Sequence, residues 1–204
     1  MTTIYFVRHG ETDWNRQGRL QGKTDTDLNS RGRSQARAVA ETLRRAVEAD
    51  FGAGALKDLP VYASPLKRTR QTADLLLEAL ALPDLAIGLE PRLAEIGFGH
   101  WEGRTWPEIR TRDPINHRDR ERDRWGFAPP GGESYAGVAE RVGGFLAESE
   151  RPCCVVSHGG VARVMMHLLA DLPAEQVLHA EIWQGRVLRF AAGQMAWLPH
   201  TGHA

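Results

Sequence analysis

Ile4-Tyr5-Phe6-Val7-Arg8-His9-Gly10 opens the chain with a short apolar run that ends in a cation, an imidazole and a glycine. An uninterrupted apolar run bounded by a glycine predicts a strand buried on both faces. A strand that ends there carries Arg8 and His9 to the carboxyl edge of a sheet, where open α/β sheets bind ligands. The idea recurs near the other end, where Val155-Val156 runs into Ser157-His158-Gly159-Gly160 and then a helical pattern. Two strand-end histidines, each followed by glycine and accompanied by arginines, predict a pocket that handles phosphate through a histidine.

Outward from these two strands, helix and strand patterns alternate. Ser30 to about Ala49 has Ala36, Val39, Ala40, Leu43 and Val47 on one helical face. Val61–Ala63 reads as a short strand, followed by Ser64 as an N-cap and Pro65 at the first helical position. The helix after it carries Ala73, Leu76, Leu77 and Leu80 at helical spacing, and Glu133–Glu148 is a second amphipathic helix. Cys153–Val156 is the second strand, Val161–Leu169 a helix, and 187–191 with 195–198 a closing antiparallel pair whose edge could join a second copy in a dimer. This alternation predicts a three-layer α/β/α sandwich with a mostly parallel sheet, built as one domain over residues 1–204.

Composition narrows the partners. Lys and Arg number 26 and Asp and Glu 26, so the formal net charge is zero and neither nucleic acid nor an anionic membrane is indicated. No stretch approaches the roughly 20 apolar residues of a membrane span, and the first apolar run is too short for a signal peptide. The only cysteines, Cys153 and Cys154, are neighbours on a strand and point to opposite faces, so they do not bridge each other. The expectation is a cytoplasmic protein, monomer or homodimer, acting on a small molecule.

The chemistry follows from residue types. Phosphate-monoester hydrolysis is among the slowest uncatalysed reactions. A histidine nucleophile divides it into two easier steps, provided that its attacking nitrogen is neutral and the other nitrogen is held by an acceptor. His9 suits that role, Gly10 removes a side chain where phosphate approaches, and Arg8 supplies fork-shaped donors. Arg68 lies in the first turn after another strand, with Lys67 and Arg70 as rivals by charge. His158, facing His9, would donate to the transferring phosphoryl group. Glu95, flanked by apolar residues and glycines, suits general acid work, with Glu102 as the rival.

Six blocks then occur in order: Arg-His-Gly-Glu-Thr-Asp-Trp-Asn at 8–15, Arg-Leu-Gln-Gly at 19–22, Ser-Pro-Leu-Lys-Arg-Thr-Arg-Gln-Thr-Ala at 64–73, Leu-Ala-Glu-Ile-Gly-Phe-Gly-His-Trp-Glu-Gly at 93–103, Gly-Gly-Glu-Ser at 131–134 and Ser-His-Gly-Gly at 157–160. Together they resemble the histidine phosphatase superfamily, which includes the cofactor-dependent phosphoglycerate mutases. The resemblance implies a phosphoglycerate mutase-like fold and a phosphomonoester phosphatase that needs no metal or other cofactor. It implies that His9 is phosphorylated, that Arg8, Arg68 and His158 form the phosphate pocket, that Asn15 and Gln21 help to bind phosphate beside Gly22, and that Glu95 donates a proton and later activates water. Mutase activity and a non-enzymatic phospholigand-binding role are the alternatives.

Residues 108–124 are dense in charge within an insertion at about 104–130. They read as a solvated segment laced with surface ion pairs or as a lid that brings an arginine or His117 to the substrate. Two decoys fall away. Gly18–Thr24 has three residues between its glycines where a nucleotide-binding P-loop needs four, and no zinc spacing joins His100, His117, His167, His179, His200 or His203.

Overall fold

The computed structural model describes residues 2–199; His200 and His203 lie outside the described residues. Six strands form one sheet: β1 (Ile4–Arg8), β2 (Val61–Ala63), β3 (Ile87–Leu89), β4 (Cys153–Ser157), β5 (Val187–Ala191) and β6 (Gln194–Trp197). Their spatial order is β3-β2-β4-β1-β5-β6, parallel from β3 to β1 and antiparallel across β5 and β6. The fold is a mixed α/β sandwich with a mostly parallel sheet.

Strand alternation divides the core into two layers, because successive side chains leave opposite faces. Ile4 and Phe6 of β1, Cys153 and Val155 of β4, and Leu188 and Phe190 of β5 pack against Val138 and Val142 of α6 (Tyr135–Glu148) and Met165 of α7 (Gly159–Ala170). Tyr5, Val7, Cys154 and Val156 face the other way, onto Val39 and Leu43 of α2 (Ser30–Phe51) and Ala73 and Leu76 of α3 (Lys67–Ala79). The two cysteines therefore lie in separate layers, buried and unbridged, and burial pushes the Cys153 thiol up to about 12.

Helix ends follow local chemistry. Asn29 caps α2, its Oδ1 accepting from Gly32 N at 2.9 Å, and Gly52 ends the helix at a φ of 92°. Two expected starts are corrected. The helix after Val61–Ala63 begins at Lys67 with Leu66 at the cap position, and Ser64 is drawn inward to a histidine instead. The helix expected from Glu133 begins at Tyr135, because Ser134 accepts from Gly137 N and caps it, while Glu133 accepts from Gly97 N. Strand β3 is short and half exposed, which leaves it without a readable period.

The same register that builds the sheet brings the ends of β1 and β4 together. Arg8 pairs with Ser157, and His9 N donates to Ser157 O at 2.9 Å. His9 and His158 thus leave adjacent strands at the same level. No helix among the described residues is long and apolar enough to cross a membrane.

Candidate active site

The two imidazoles stand with ring centroids 5.2 Å apart, both almost fully buried. His9 Nδ1 lies 2.8 Å from Gly10 O, so that nitrogen holds the proton and donates it, leaving Nε2 with its lone pair. Burial, with Arg68 and Arg8 nearby, holds His9 well below the usual imidazole range, so it is neutral. Burial and Arg68 do the same to His158. His158 Nε2 is 2.7 Å from Ser64 Oγ, and its Nδ1 is buried without a protein partner.

Gly10 is required for a reason other than the one expected. A Cβ there would come within 2.2 Å of Gly32 O, so the glycine lets the loop after β1 pass the first turn of α2, a backbone approach and not a phosphate one.

The arginines divide cleanly. Arg68 is buried, with Nη1 donating to Thr24 O at 2.9 Å and Nη2 to Gly22 O at 2.8 Å, while its Nε meets no acceptor. Its rivals Lys67 and Arg70 are exposed, and Lys67 pairs with Asp27. Arg8 donates from Nη1 to Ile182 O at 2.6 Å, and its Nε is likewise buried and unpaired. Burial lowers Arg8 to about 10. Asn15 Oδ1 accepts from Thr12 N at 3.1 Å in the capping box of α1 (Asp13–Arg16) and from Gln184 Nε2 at 3.0 Å. Gln21 Oε1 accepts from Thr26 Oγ1. With both amide oxygens engaged, what each side chain offers a ligand is its NH2 group. Asn15, Gln21, Gly22, Arg8, His9, Arg68 and Glu95 line one cavity of about 120 Å³.

The two candidate carboxylates are held in different ways. Glu95 Oε1 accepts from Ile96 N and Gly160 N, both at 3.0 Å, at the start of α7. Both bonds fall on Oε1, and the residue lines the cavity. A Cβ at Gly160 would come within 2.4 Å of Glu95 Oε1, so Gly160 makes room for the carboxyl. Glu102 has no such freedom. It accepts from Lys23 N, Phe98 N, Thr24 N and Thr24 Oγ1, clamping the loop whose carbonyls hold Arg68. Gly22, at a φ of 53°, is wedged against this clamp, where a Cβ would overlap Glu102 Oε1.

The charged insertion is two short helices, α4 (Trp106–Arg112) and α5 (Pro114–Arg122). The solvated reading fits the outer face of α5, which carries the Arg122–Asp119 pair, while Arg120 and His117 of the same helix turn inward. It fails for α4, because Ile109 is fully buried and Trp106 packs edge-on against Trp101 and Phe98. Arg120 lies 4.1 Å over the Trp106 ring, and Phe98 lines the cavity, so the insertion reaches the site through that aromatic chain. His117 packs against Trp106 and does not line the cavity. A larger surface groove of about 530 Å³ runs between Glu121–Trp125 and α8 (Ala174–Leu178), and holds none of the residues expected at the site.

Sequence reasoning missed Ser64, Gln184 and Arg163. Gln184 donates to His9 O at 3.1 Å, and nothing in its local sequence signals that contact across the sheet edge. Arg163 donates to Ala180 O at 3.0 Å, and its Nε is buried and unpaired. Its position one turn after Ser157-His158-Gly159 was the available signal. Among the described residues no cluster of three His, Cys, Asp or Glu is arranged to hold a metal ion.

A mostly parallel sheet with two buried arginines and two neutral histidines gathered at its carboxyl edge defines an α/β protein with a cationic cavity there. The sequence profile of the histidine phosphatase superfamily (branch 1) matches residues 4–198, and the chain belongs to that superfamily. Among curated relatives it is 38% identical over 176 residues to phosphoserine phosphatase 1 of Hydrogenobacter thermophilus, covering 81% of this chain and 74% of that protein. It is 31% identical to glucosyl-3-phosphoglycerate phosphatase of Mycolicibacterium vanbaalenii, over 98% of this chain and 84% of that one. The crystal structure of the alpha-ribazole phosphatase from Shigella flexneri superposes with a TM-score of 0.78 at 28% identity, covering 98% of this chain and 95% of that one.

Proposed function

We propose that the protein hydrolyses a small phosphomonoester through a phosphohistidine at His9. The observation that carries this reading is the neutral, buried His9, with Nδ1 tied to Gly10 O, beside buried nitrogens on Arg8, Arg68 and His158 that meet no protein partner. Unpaired buried donors cost stability, and an arriving phosphoryl dianion repays all three at once.

In the first step His9 Nε2 attacks phosphorus, the bond from phosphorus to the ester oxygen breaks, and Glu95 gives its proton to the departing alcohol. In the second, the Glu95 carboxylate takes a proton from water, the hydroxide attacks phosphorus, and the N–P bond breaks to restore His9. Arg8, Arg68 and His158 hold the non-bridging oxygens as charge builds, with Asn15 and Gln21 donating from their amides.

The substrate carries a second anionic group. Arg163 Nη1 lies 3.4 Å from the point where a Cβ on Gly159 would project, and its buried Nε is unpaired, so a further guanidinium stands beside the phosphate donors. Half-buried Tyr135 lies in electrostatic reach of Glu95, Arg120 and Arg163. The phosphoserine and glucosyl-3-phosphoglycerate in the relatives' names each pair a phosphate ester with a carboxylate.

The test is a panel of phosphomonoesters assayed for phosphate release with EDTA present and His9→Ala as control. Release that disappears in the variant, and that favours carboxylate-bearing esters over neutral ones, is expected. Release that survives in His9→Ala overturns the mechanism. Return of the phosphoryl group to a phosphoglycerate in place of water would make the protein a mutase.

A further inference from the structure

Ser64 is the residue that the helix-cap expectation misplaced, and its surroundings define what it does. The side chain is fully buried, and Oγ lies 2.7 Å from His158 Nε2 while accepting from Leu66 N at 3.3 Å. His158 is neutral, so its ring carries one proton, on either Nε2 or Nδ1.

Counting donors separates the two. If Nε2 held the proton, Ser64 Oγ would accept from both His158 and Leu66, its own hydroxyl proton would find no acceptor among the described residues, and Nδ1 would present a buried lone pair. If Ser64 donates its hydroxyl proton to Nε2, every group closes: Oγ accepts from Leu66 N and donates to His158, and the ring proton sits on Nδ1. That nitrogen is the one without a protein partner, with the His9 ring 5.2 Å away and Arg8 and Arg68 as electrostatic neighbours.

We infer that Ser64 is a positioning residue that holds His158 as the Nδ1–H tautomer, so that this histidine meets the phosphoryl group as a donor. The inference rests on the phosphohistidine reading above and adds to it the origin of the donor. With the wrong tautomer a lone pair would face the phosphoryl oxygens, and the site would lose one hydrogen bond as their charge rises. Removal of one such donor typically lowers kcat by roughly 100-fold.

Nitrogen-15 NMR of histidine-labelled protein tests it directly. His158 is expected to show a protonated Nδ1 and an unprotonated Nε2 in the unmodified chain; a protonated Nε2 overturns the inference without any variant. In Ser64→Ala the tautomers should mix, kcat should fall about 10- to 100-fold with KM little changed, and vanadate should lose more affinity than inorganic phosphate. Ser64→Thr, which keeps the hydroxyl, should recover most of the rate. Unchanged kcat and an unchanged His158 spectrum in Ser64→Ala would refute the role. Because His9→Ala reports separately on the phosphohistidine, failure of that reading is distinguishable from failure of this one.

Discussion

Two local facts fit His9 for the nucleophile's role proposed above: its backbone turns so that Nδ1 reaches the next carbonyl, and burial beside two arginines keeps it neutral. His9→Ala is expected to abolish turnover while leaving the fold intact, as measured by phosphate release alongside circular dichroism. Glu95 is expected to matter in proportion to the leaving group's need for a proton. Glu95→Gln should slow alkyl phosphates far more than nitrophenyl phosphate, whose leaving oxygen departs without help; equal losses would remove it as the acid. At this scale much was readable in advance. His9, Arg68 and Glu95 line one cavity and His158 packs against the His9 ring, whereas Ser64 was assigned to a helix end because a serine before proline has the same local signature in either role.

The loop clamped by Glu102 and the first turn of α7 are the elements that set the site's spacing. Glu102 uses both oxygens on backbone and hydroxyl donors of residues 23, 24 and 98, and that loop in turn supplies the carbonyls that hold Arg68. Glu102→Ala should cost about 1–3 kcal/mol of stability by orphaning those donors. It should raise KM more than it lowers kcat, an outcome opposite to that of Glu95→Gln, and denaturant melts with steady-state kinetics will read both. Gly160→Ala should push the Glu95 carboxyl off its two N–H donors and crowd the Ile96 side chain, lowering kcat with little change in phosphate affinity. Helix α4 was hidden from the sequence because its charges outnumber its apolar residues; buried Ile109 and half-buried Trp106 are enough to anchor it.

For the molecule as a whole, the site is a stability liability that pH exposes. His9 and His158 have folded pKa values well below the 6.5 of an unfolded imidazole. Between the folded and unfolded values the unfolded chain binds more protons, so stability is full above about pH 6.5 and falls as pH drops through the window beneath it. Each imidazole contributes a slope of roughly 1 kcal/mol per pH unit there. Urea melts from pH 7.5 to 5 should show that decline, and His9→Ala should halve it; a flat profile would mean that the imidazoles are solvated in the native state. Away from the site, Leu76→Ala should cost about 2–5 kcal/mol, since it is fully buried between α3, α2 and the sheet.

Taken alone, the order of residues determined the α/β alternation and the two strand-end histidines, because each is written in a short apolar run or a contiguous motif that local geometry must obey. Tertiary structure decided the rest: that β1 and β4 are neighbours in matching register, that Gly10 makes room for α2, that Glu102 serves as a clamp, and that Gln184 reaches the backbone of His9. Those outcomes depend on contacts between residues 20 to 175 positions apart, and no local periodicity records which distant backbone or donor will arrive.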